Sequence, residues 1–179
     1  MLYLFGFETV GVVVGDLYFV DPDPAAGQEG AERGVRLEVR VLERGAPPGS
    51  VYSAIPIAAM QPIWRADLLE TVDGEPGSHD RTHHHPTFRG WEPSSRRFDE
   101  LVGQEPVAWV GEQLADLDAL IERSEVDASD VDAGDAGRLR ASVPEILTVV
   151  RSLLERVRAG ELGIAPAEGA ALGARSGWL

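Results

Sequence analysis

The sequence predicts an α+β fold, in which an antiparallel β-sheet or small open barrel in the N-terminal part is covered by a C-terminal two-helix hairpin. Two observations predict this class. Residues 1–72 contain alternating and β-branched segments, whereas residues 101–160 contain apolar residues at helical spacing. Strands followed by helices favour α+β over a parallel doubly wound sheet. We therefore expect one domain of 179 residues, with a long loop over residues 73–100 and a weakly ordered Ala/Gly-rich tail over residues 161–179.

The first strands are predicted in the apolar N-terminus. Residues 2–14 and 17–20 are rich in β-branched and aromatic residues, and Gly15 and Asp16 between them suit a tight hairpin turn. Residues 35–44 then alternate apolar with charged side chains, which is the period of a strand with one buried face.

Two further segments complete the predicted sheet. Residues 51–57 and 62–72 have strand-like composition, but they contain Pro56 and Pro62. Proline removes a backbone N–H from the hydrogen-bond ladder, so it is found at sheet edges and bulges. We therefore expect one of these strands to lie at an edge or to carry a bulge.

Two amphipathic helices are predicted near residues 106–123 and 142–158, where apolar residues recur at three- and four-residue steps. The spacing of Ser142 and Glu145 is that of a capping box, which predicts that the second helix begins there. One helix stripe cannot bury itself, so both helices should pack on the sheet. If the two stripes are wider than the sheet can cover, the remaining apolar surface favours a homodimer.

The composition excludes several classes of function. A net charge of −14 repels phosphate backbones, so no nucleic-acid partner is expected. The absence of cysteine excludes disulfides, thiolate metal sites and a cysteine nucleophile. Glu8 and Asp16 interrupt the apolar N-terminus, so we expect neither a signal peptide nor a membrane span and predict a cytoplasmic location. The absence of lysine and asparagine, whose codons begin with AA, is typical of a high-GC bacterium.

The predicted loop contains every histidine of the chain, His79, His83, His84 and His85. Neutral imidazole is a common ligand for divalent transition metals. In an extended segment alternate side chains share a side, so His83 and His85 can bind one ion together while His84 points away.

A metal site needs a third protein ligand, and His79, Asp80 and Glu70 are the candidates. Alternation along the strand from Trp64 would place Glu70 on the inward face, close to the loop. The residue types therefore favour a divalent transition metal as the cofactor. The predicted metal ligands are His83, His85, His79 and Glu70.

A second hypothesis needs no metal, because imidazole titrates near neutrality and a carboxylate beside it can orient the ring as a general base. Cationic and aromatic side chains in the same loop would then hold an anionic substrate. Spacing along the chain does not separate this hypothesis from the metal site. The catalytic candidates are His83, His85, Asp80 and Glu92, and the substrate-binding candidates are Arg81, Arg89, Trp91 and Phe88.

The sequence thus predicts a small bacterial protein with a ligand- or metal-binding site around residues 79–85, for which a metal-dependent enzyme is one candidate activity. The alternative is a non-enzymatic interaction or scaffold protein that uses residues 73–100 or the helical hairpin. This alternative is motivated by the absence of nucleophile-elbow, zincin, phosphate-loop and dinucleotide-binding motifs. A histidine with a perturbed pKa in a closed pocket would argue against it, and a flat, exposed loop would favour it.

Overall fold

The computed structural model describes residues 1–98, 104–167, 173 and 175–177. Its main element is an open antiparallel sheet of six strands, which confirms the α+β prediction in its open-sheet form. A separate two-stranded hairpin lies within the predicted long loop. The strands are β1 (Leu2–Gly6), β2 (Val10–Val20), β3 (Ala31–Arg44), β4 (Ile57–Thr71), β5 (His83–His85), the hairpin strands β6 (Phe88–Arg89) and β7 (Glu92–Pro93), and β8 (Arg175–Gly177).

The strand order in the sheet is β1-β2-β3-β4-β5. Strand β8 pairs with residues 17–19 of β2, beyond the part of β2 that pairs with β1. A segment of the predicted weakly ordered tail therefore extends the sheet. The tail was expected to be weakly ordered unless Trp178 and Leu179 dock on the rest of the protein, and these two residues lie outside the described ones.

The first hairpin turn lies at residues 7–9, so the prediction of a turn at Gly15 and Asp16 was wrong. Both residues lie inside β2, where Gly15 has a cross-strand partner on each side. Pairing on two sides outweighs a local turn preference. The observed turn is held by Asp135, whose carboxylate accepts hydrogen bonds from the backbone N–H groups of residues 8–10.

Strand β4 is one long strand where two segments were predicted. Its register with β3 shifts on both sides of Arg40, which pairs with Pro62. This irregularity is the bulge that the proline predicted. Residues 51–56 lie outside the strand.

The helices are α1 (Pro106–Ala115), α2 (Leu117–Arg123), a 3-10 turn (Ala128–Asp130) and α3 (Asp135–Arg158). The first predicted helix is divided at Asp116, whose carboxylate accepts a hydrogen bond from the Ala119 N–H and starts α2. The second begins at Asp135 rather than at Ser142. The predicted capping box was wrong because Ser142 and Glu145 lie inside α3.

One face of the sheet is apolar and is covered by the helices. A single hydrophobic cluster joins strand and helix residues, which confirms that the helices pack on the sheet. No helix in the described part of the chain has the length and apolar character needed to cross a membrane. Fully buried members of the cluster are Val12, Leu37 and Trp64 from the strands and Val110, Leu114, Ile146 and Val150 from the helices.

The predicted long loop is partly regular structure. Residues 83–85 form β5, which pairs with residues 65–67 of β4, so the predicted long loop contains a strand at the histidines. Three residues are too few to show a strand period in the sequence. The β6-β7 hairpin follows directly after β5.

Candidate metal centre

The sheet face opposite the helices carries buried charges. Cross-strand pairing between β3 and β4 places Arg36 opposite Asp67 and Glu38 opposite Arg65. Asp67 is 0% exposed and Glu38 is 1% exposed. Charged groups this deeply buried require ionic and hydrogen-bonding partners, so this face is a candidate functional site rather than a solvated surface.

Strand β5 divides the three consecutive histidines between the two faces. His83 and His85 lie on the charged face, since they pair with Asp67 and Arg65 of β4, respectively. His84 lies on the helix face, where its ring centroid is 4.9 Å from that of Trp109. The structure therefore separates His84 from the other two rings, as alternation along an extended segment predicts.

Asp67, His83 and His85 form a compact group that can hold a metal ion. The Nε2 atoms of His83 and His85 lie 3.3 Å and 3.6 Å from Oδ2 of Asp67. All three side chains are buried. Metal bonds of about 2.0–2.2 Å place the ligand atoms of a tetrahedral site about 3.3–3.6 Å apart. The observed separations fit a metal ion bound between these atoms.

The hydrogen bonds of the other ring nitrogens fix the tautomers. Nδ1 of His83 lies 2.8 Å from the Arg81 carbonyl oxygen, and Nδ1 of His85 lies 2.5 Å from the Ser94 carbonyl oxygen. A carbonyl oxygen only accepts, so the proton of each neutral ring is on Nδ1. The Nε2 lone pairs then face the Asp67 carboxylate, which also only accepts.

When two neutral imidazole Nε2 atoms and a carboxylate oxygen face one another, their lone pairs repel unless a cation lies between them. Nε2 of His85 is buried and has no hydrogen-bond partner. Histidines that bind a metal typically donate the other ring N–H to a carbonyl or carboxylate, which is the arrangement of both rings here. A metal ion at the Nε2 atoms would convert the unfavourable contact into three coordinate bonds.

The electrostatic surroundings favour the protonation states that a metal site needs. Burial lowers the pKa of His85, and the Arg65 charge lowers it further against the opposing effect of Asp67. Burial by itself raises the pKa of Asp67. The charges of Arg36 and Arg65 outweigh burial and hold that pKa well below its usual range. At neutral pH the His85 ring is therefore neutral and Asp67 is ionised.

The two oxygens of Asp67 have different neighbours. Oδ1 accepts a 2.6 Å hydrogen bond from Nε of Arg36, whose Nη2 also reaches Oδ2 at 3.2 Å. Oδ2 faces both imidazoles, with Nε of Arg65 at 3.1 Å. Arg36 therefore fixes the carboxylate plane while Oδ2 remains directed toward the ring nitrogens.

A cavity of about 420 Å³ opens in front of the group. The β6-β7 hairpin covers it with Phe88 and Trp91, which contact the guanidinium groups of Arg65 and Arg40 at 5.6 Å and 5.5 Å from the ring centroids. Arginines outnumber carboxylates in its lining, although the whole chain carries a charge of −14. The lining arginines are Arg36, Arg40, Arg65, Arg96 and Arg175, and the lining carboxylates are Glu38, Asp67 and Glu92.

A further buried acid adjoins the cavity through Arg96. Oε1 of Glu32 lies 3.1 Å from Nη1 of Arg96, while its Oε2 is buried without a hydrogen-bond partner. Burial raises the pKa of Glu32 against the opposing charge of Arg96. The sequence analysis did not identify Glu32, because it precedes the alternating segment that predicted β3.

Two of the predicted metal ligands lie elsewhere. Oε1 of Glu70 contacts Nε of Arg33 at 3.3 Å, and its Oε2 accepts a 2.6 Å hydrogen bond from the Gly77 N–H. Glu70 shares the helix-facing side of β4, as alternation predicted, and that is the side opposite His83 and His85. His79 Nε2 lies 2.8 Å from Nη2 of Arg158.

Asp80 and Arg81 close the segment between β4 and β5 instead of lining the cavity. Asp80 accepts hydrogen bonds from the Thr71 N–H at 2.9 Å and the Ser78 hydroxyl at 2.7 Å. Arg81 donates to the Gly27 carbonyl oxygen at 2.6 Å. Both side chains thus have structural contacts in place of the predicted catalytic and substrate-binding ones.

The remaining candidates divide between two cavities. Phe88, Trp91 and Glu92 line the cavity at the histidines. Arg89 lies on the outer side of the β6-β7 hairpin and lines a different cavity with Arg123. The predicted combination of aromatic and arginine side chains is present, but the arginines come mainly from the sheet.

Asp67 and the arginines of the sheet were not predicted from the sequence. Alternation from Trp64 directed attention to the apolar side of β4, and the charged positions of β3 resemble a solvated face. The available signal was the matching charge pattern of two strands, Arg36 and Glu38 in one and Arg65 and Asp67 in the other. Complementary charges on neighbouring strands indicate a paired face that can be buried.

Comparisons with protein-family models, with curated proteins and with solved structures found no match to this chain. A functional assignment therefore depends on the geometry and chemistry of the Asp67-His83-His85 group and of the cavity in front of it.

Proposed function

We propose that this chain binds one divalent transition-metal ion through Asp67, His83 and His85 and is a metal-dependent enzyme acting on a small anionic molecule in the adjoining cavity. The observation that carries the proposal is the position of both Nε2 atoms beside Oδ2 of a buried, ionised carboxylate, while both Nδ1 atoms lie within hydrogen-bond distance of backbone carbonyl oxygens. A proton between these atoms would satisfy one ring, whereas a metal ion satisfies both.

The ligand set favours zinc among the divalent metals. Imidazole and carboxylate ligands suit zinc, iron and nickel, and the 3.3 Å and 3.6 Å separations match a tetrahedral arrangement. Three protein ligands leave the fourth position open, which is typical of catalytic rather than structural zinc sites. A zinc ion bound there supplies Lewis acidity and an acidified water molecule.

The chain's own residues supply the rest of the site. Arg36 orients Asp67 through two hydrogen bonds, and the backbone carbonyl oxygens of Arg81 and Ser94 orient the imidazoles. Phe88 of the β6-β7 hairpin is buried beside Arg65 and forms part of the cavity lining. Four of the lining arginines are paired with the buried carboxylates Asp67, Glu38 and Glu32, so Arg175 and the bound metal ion would supply the positive charge that favours an anionic substrate.

The other two sequence-based hypotheses receive less support. A metal-free general base requires one imidazole and one orienting carboxylate, and leaves the second buried Nε2 without a role. An interaction protein would use residues 73–100 or the helical hairpin, and it would leave the buried His83, His84 and His85, which are at most 7% exposed, without a role. The lowered pKa of His85, caused first by burial, also argues against a flat interaction surface.

The metal site is tested with protein purified without a metal-affinity tag, stripped by chelator and dialysed against zinc. Elemental analysis should find about one zinc ion per chain in the wild type and in the His84→Gln variant, as expected for a single three-ligand site. The His83→Gln/His85→Gln double variant should bind none. A metal-free wild type, or equal loss in the His84→Gln variant, would contradict the proposal.

The proposed enzymatic activity is tested on the same samples with p-nitrophenyl esters and phosphates, which report on metal-assisted hydrolysis. Turnover should require zinc and should disappear in the His85→Gln variant. Zinc binding without any turnover above that variant would leave a metal-binding protein and would reject hydrolysis of these substrates as its reaction.

A further inference from the structure

A second cavity, of about 500 Å³, adjoins the metal cavity on the same face of the sheet. Its apolar lining includes Leu2 and Leu4 of β1 together with Val13 of β2. Leu4 pairs with Val13, and Val13 pairs with Glu38 of β3, so these side chains lie on the charged face rather than on the helix face. The apolar groove and the metal centre therefore lie on one continuous surface.

The two cavities share three lining residues, Arg40, Trp91 and Arg175. The Trp91 ring stands over the Arg40 guanidinium at 5.5 Å and so forms the boundary between an apolar and a charged compartment. A ligand that occupied both compartments would pass this boundary with its apolar part on one side and its charged part on the other.

The groove presents large apolar side chains to solvent. Leu2, Leu4 and Trp91 are 53%, 51% and 58% exposed. Single exposed leucines are ordinary on protein surfaces, but a contiguous apolar patch next to a polar cavity is typical of a ligand site. A volume of about 500 Å³ lies within the range of small-molecule sites.

We propose that the two cavities form one binding site for an amphipathic organic acid, with its carboxylate in the arginine-lined metal cavity and its hydrocarbon part along Leu2, Leu4 and Val13. Arginine binds carboxylates in a geometry that a hydrocarbon or an alcohol cannot use. The inference rests on the proposed function, because it places the acid head at the metal centre, and it adds the class of substrate.

A second copy of the chain is the competing occupant of the groove. A twofold symmetric interface brings the same patch of both subunits together, so the Arg175 side chains of both copies would enter one interface, whereas Arg40 is already paired with Glu38. Juxtaposed like charges oppose such a contact, whereas the carboxylate of a small acid complements them. The charge of the boundary therefore favours the acid.

The test is calorimetric titration of the metal-free and zinc-loaded protein with hexanoate, octanoate and octanol. Each buried CH₂ group adds about fourfold in affinity, so octanoate should bind about 15-fold more tightly than hexanoate. Octanol, which lacks the carboxylate, should bind at least about tenfold more weakly than octanoate. Equal binding of the two acids, or of octanol and octanoate, would overturn the inference.

Variants locate the binding site and separate this inference from the metal site. Leu4→Gln should weaken octanoate binding by about tenfold or more while zinc stoichiometry stays unchanged. The matched control, Val51→Gln, changes a residue that is 87% exposed and outside the groove, so it should alter neither quantity. Octanoate affinity unchanged by Leu4→Gln would overturn the inference.

The two proposals fail in different ways. A wild type that takes up no zinc but binds octanoate with the expected length dependence would reject the metal site and support the amphipathic-acid site. Normal zinc uptake without length-dependent acid binding would support the metal site and reject the amphipathic-acid site. Sedimentation that shows a dimer dissociated by Leu4→Gln, with no octanoate binding, would assign the groove to a second copy.

Discussion

The two faces of the sheet are built from alternating positions of the same strands, yet they are buried in different ways. On the helix side of β4, Trp64, Ala66 and Leu68 are at most 1% exposed and pack in the hydrophobic cluster. On the other side, Asp67 is 0% exposed and is surrounded by arginines and histidines. Alternation in this strand therefore places the hydrophobic core on one face and a buried charged site on the other. It does not simply separate buried residues from solvent-exposed ones.

The largest effect is expected from removing the acid at the centre of the charged face. Asp67→Ala leaves the buried guanidinium groups of Arg36 and Arg65 without this partner, so the free energy of unfolding should fall by about 3–5 kcal/mol, and zinc binding should be lost. Urea denaturation measures the loss. The exposed Asp23→Ala provides the control and should have little effect. A loss below about 1 kcal/mol for Asp67→Ala would contradict the role of ion pairs on this face.

A substitution on the apolar face should affect stability alone. Leu37 is fully buried under the helices, so Leu37→Ala should lower the free energy of unfolding by about 2–5 kcal/mol through lost burial and a cavity. Zinc stoichiometry of the folded variant should remain that of the wild type. If zinc binding disappeared together with stability, the two faces would not be independent.

Much of the fold could be predicted because its signals are local. The β-branched and apolar periods of residues 35–44 and 106–123 fix the type of each element. The position of the first turn could not be predicted, since Asp135 reaches it from the other end of the chain. The extent of α3 was missed because Leu139 is the only large apolar residue between positions 135 and 141, which is too few to show a stripe.

The candidate site was only partly predictable for the same reason. Confinement of the histidines to one segment identified His83 and His85, and alternation separated them from His84. The third ligand depends on the register between β4 and β5, which no local pattern contains. Glu70 was expected because the site was placed on the apolar, inward face of β4, whereas His83 and His85 lie on the opposite face with Asp67.

Acid should destabilise the metal-free protein through its charged face. The folded pKa of His85 is lowered by burial, so stability present above the unfolded value of about 6.5 is lost as the pH falls from there through the folded pKa. The depressed pKa of Asp67 adds a loss below about pH 3.9. Urea unfolding of the wild type between pH 8 and pH 3 should show both losses.

The matched variant for this pH dependence is His85→Gln. Other groups also contribute to the change of stability with pH. Burial raises the pKa of Glu32, so Glu32 opposes the loss of stability on acidification. Burial lowers the pKa of His79, so His79 adds to that loss. The difference between wild type and His85→Gln isolates the contribution of His85 and should decline below about pH 6.5. A difference that grows on acidification would show that the folded protein prefers the charged ring.

The smallest effect is expected for the histidine on the helix face. His84→Gln removes the ring contact with Trp109 and should lower the free energy of unfolding by about 0.5–1.5 kcal/mol. Chemical denaturation measures this loss, and zinc titration of the same variant should match the wild type. Weakened zinc binding would mean that all three rings of β5 belong to the metal site.

The central claim is that alternate histidines of β5 direct their Nε2 atoms to one metal ion on the charged face, and imidazole ¹⁵N spectra of the intact chain test it most directly. The chain has four histidines, so every ring can be followed separately. Without metal at neutral pH, His83 and His85 should show the proton on Nδ1. One equivalent of zinc should shift the Nε2 resonances of these two rings and leave those of His79 and His84 in place. Resonances that zinc does not move, or a shift at His84, would contradict the account.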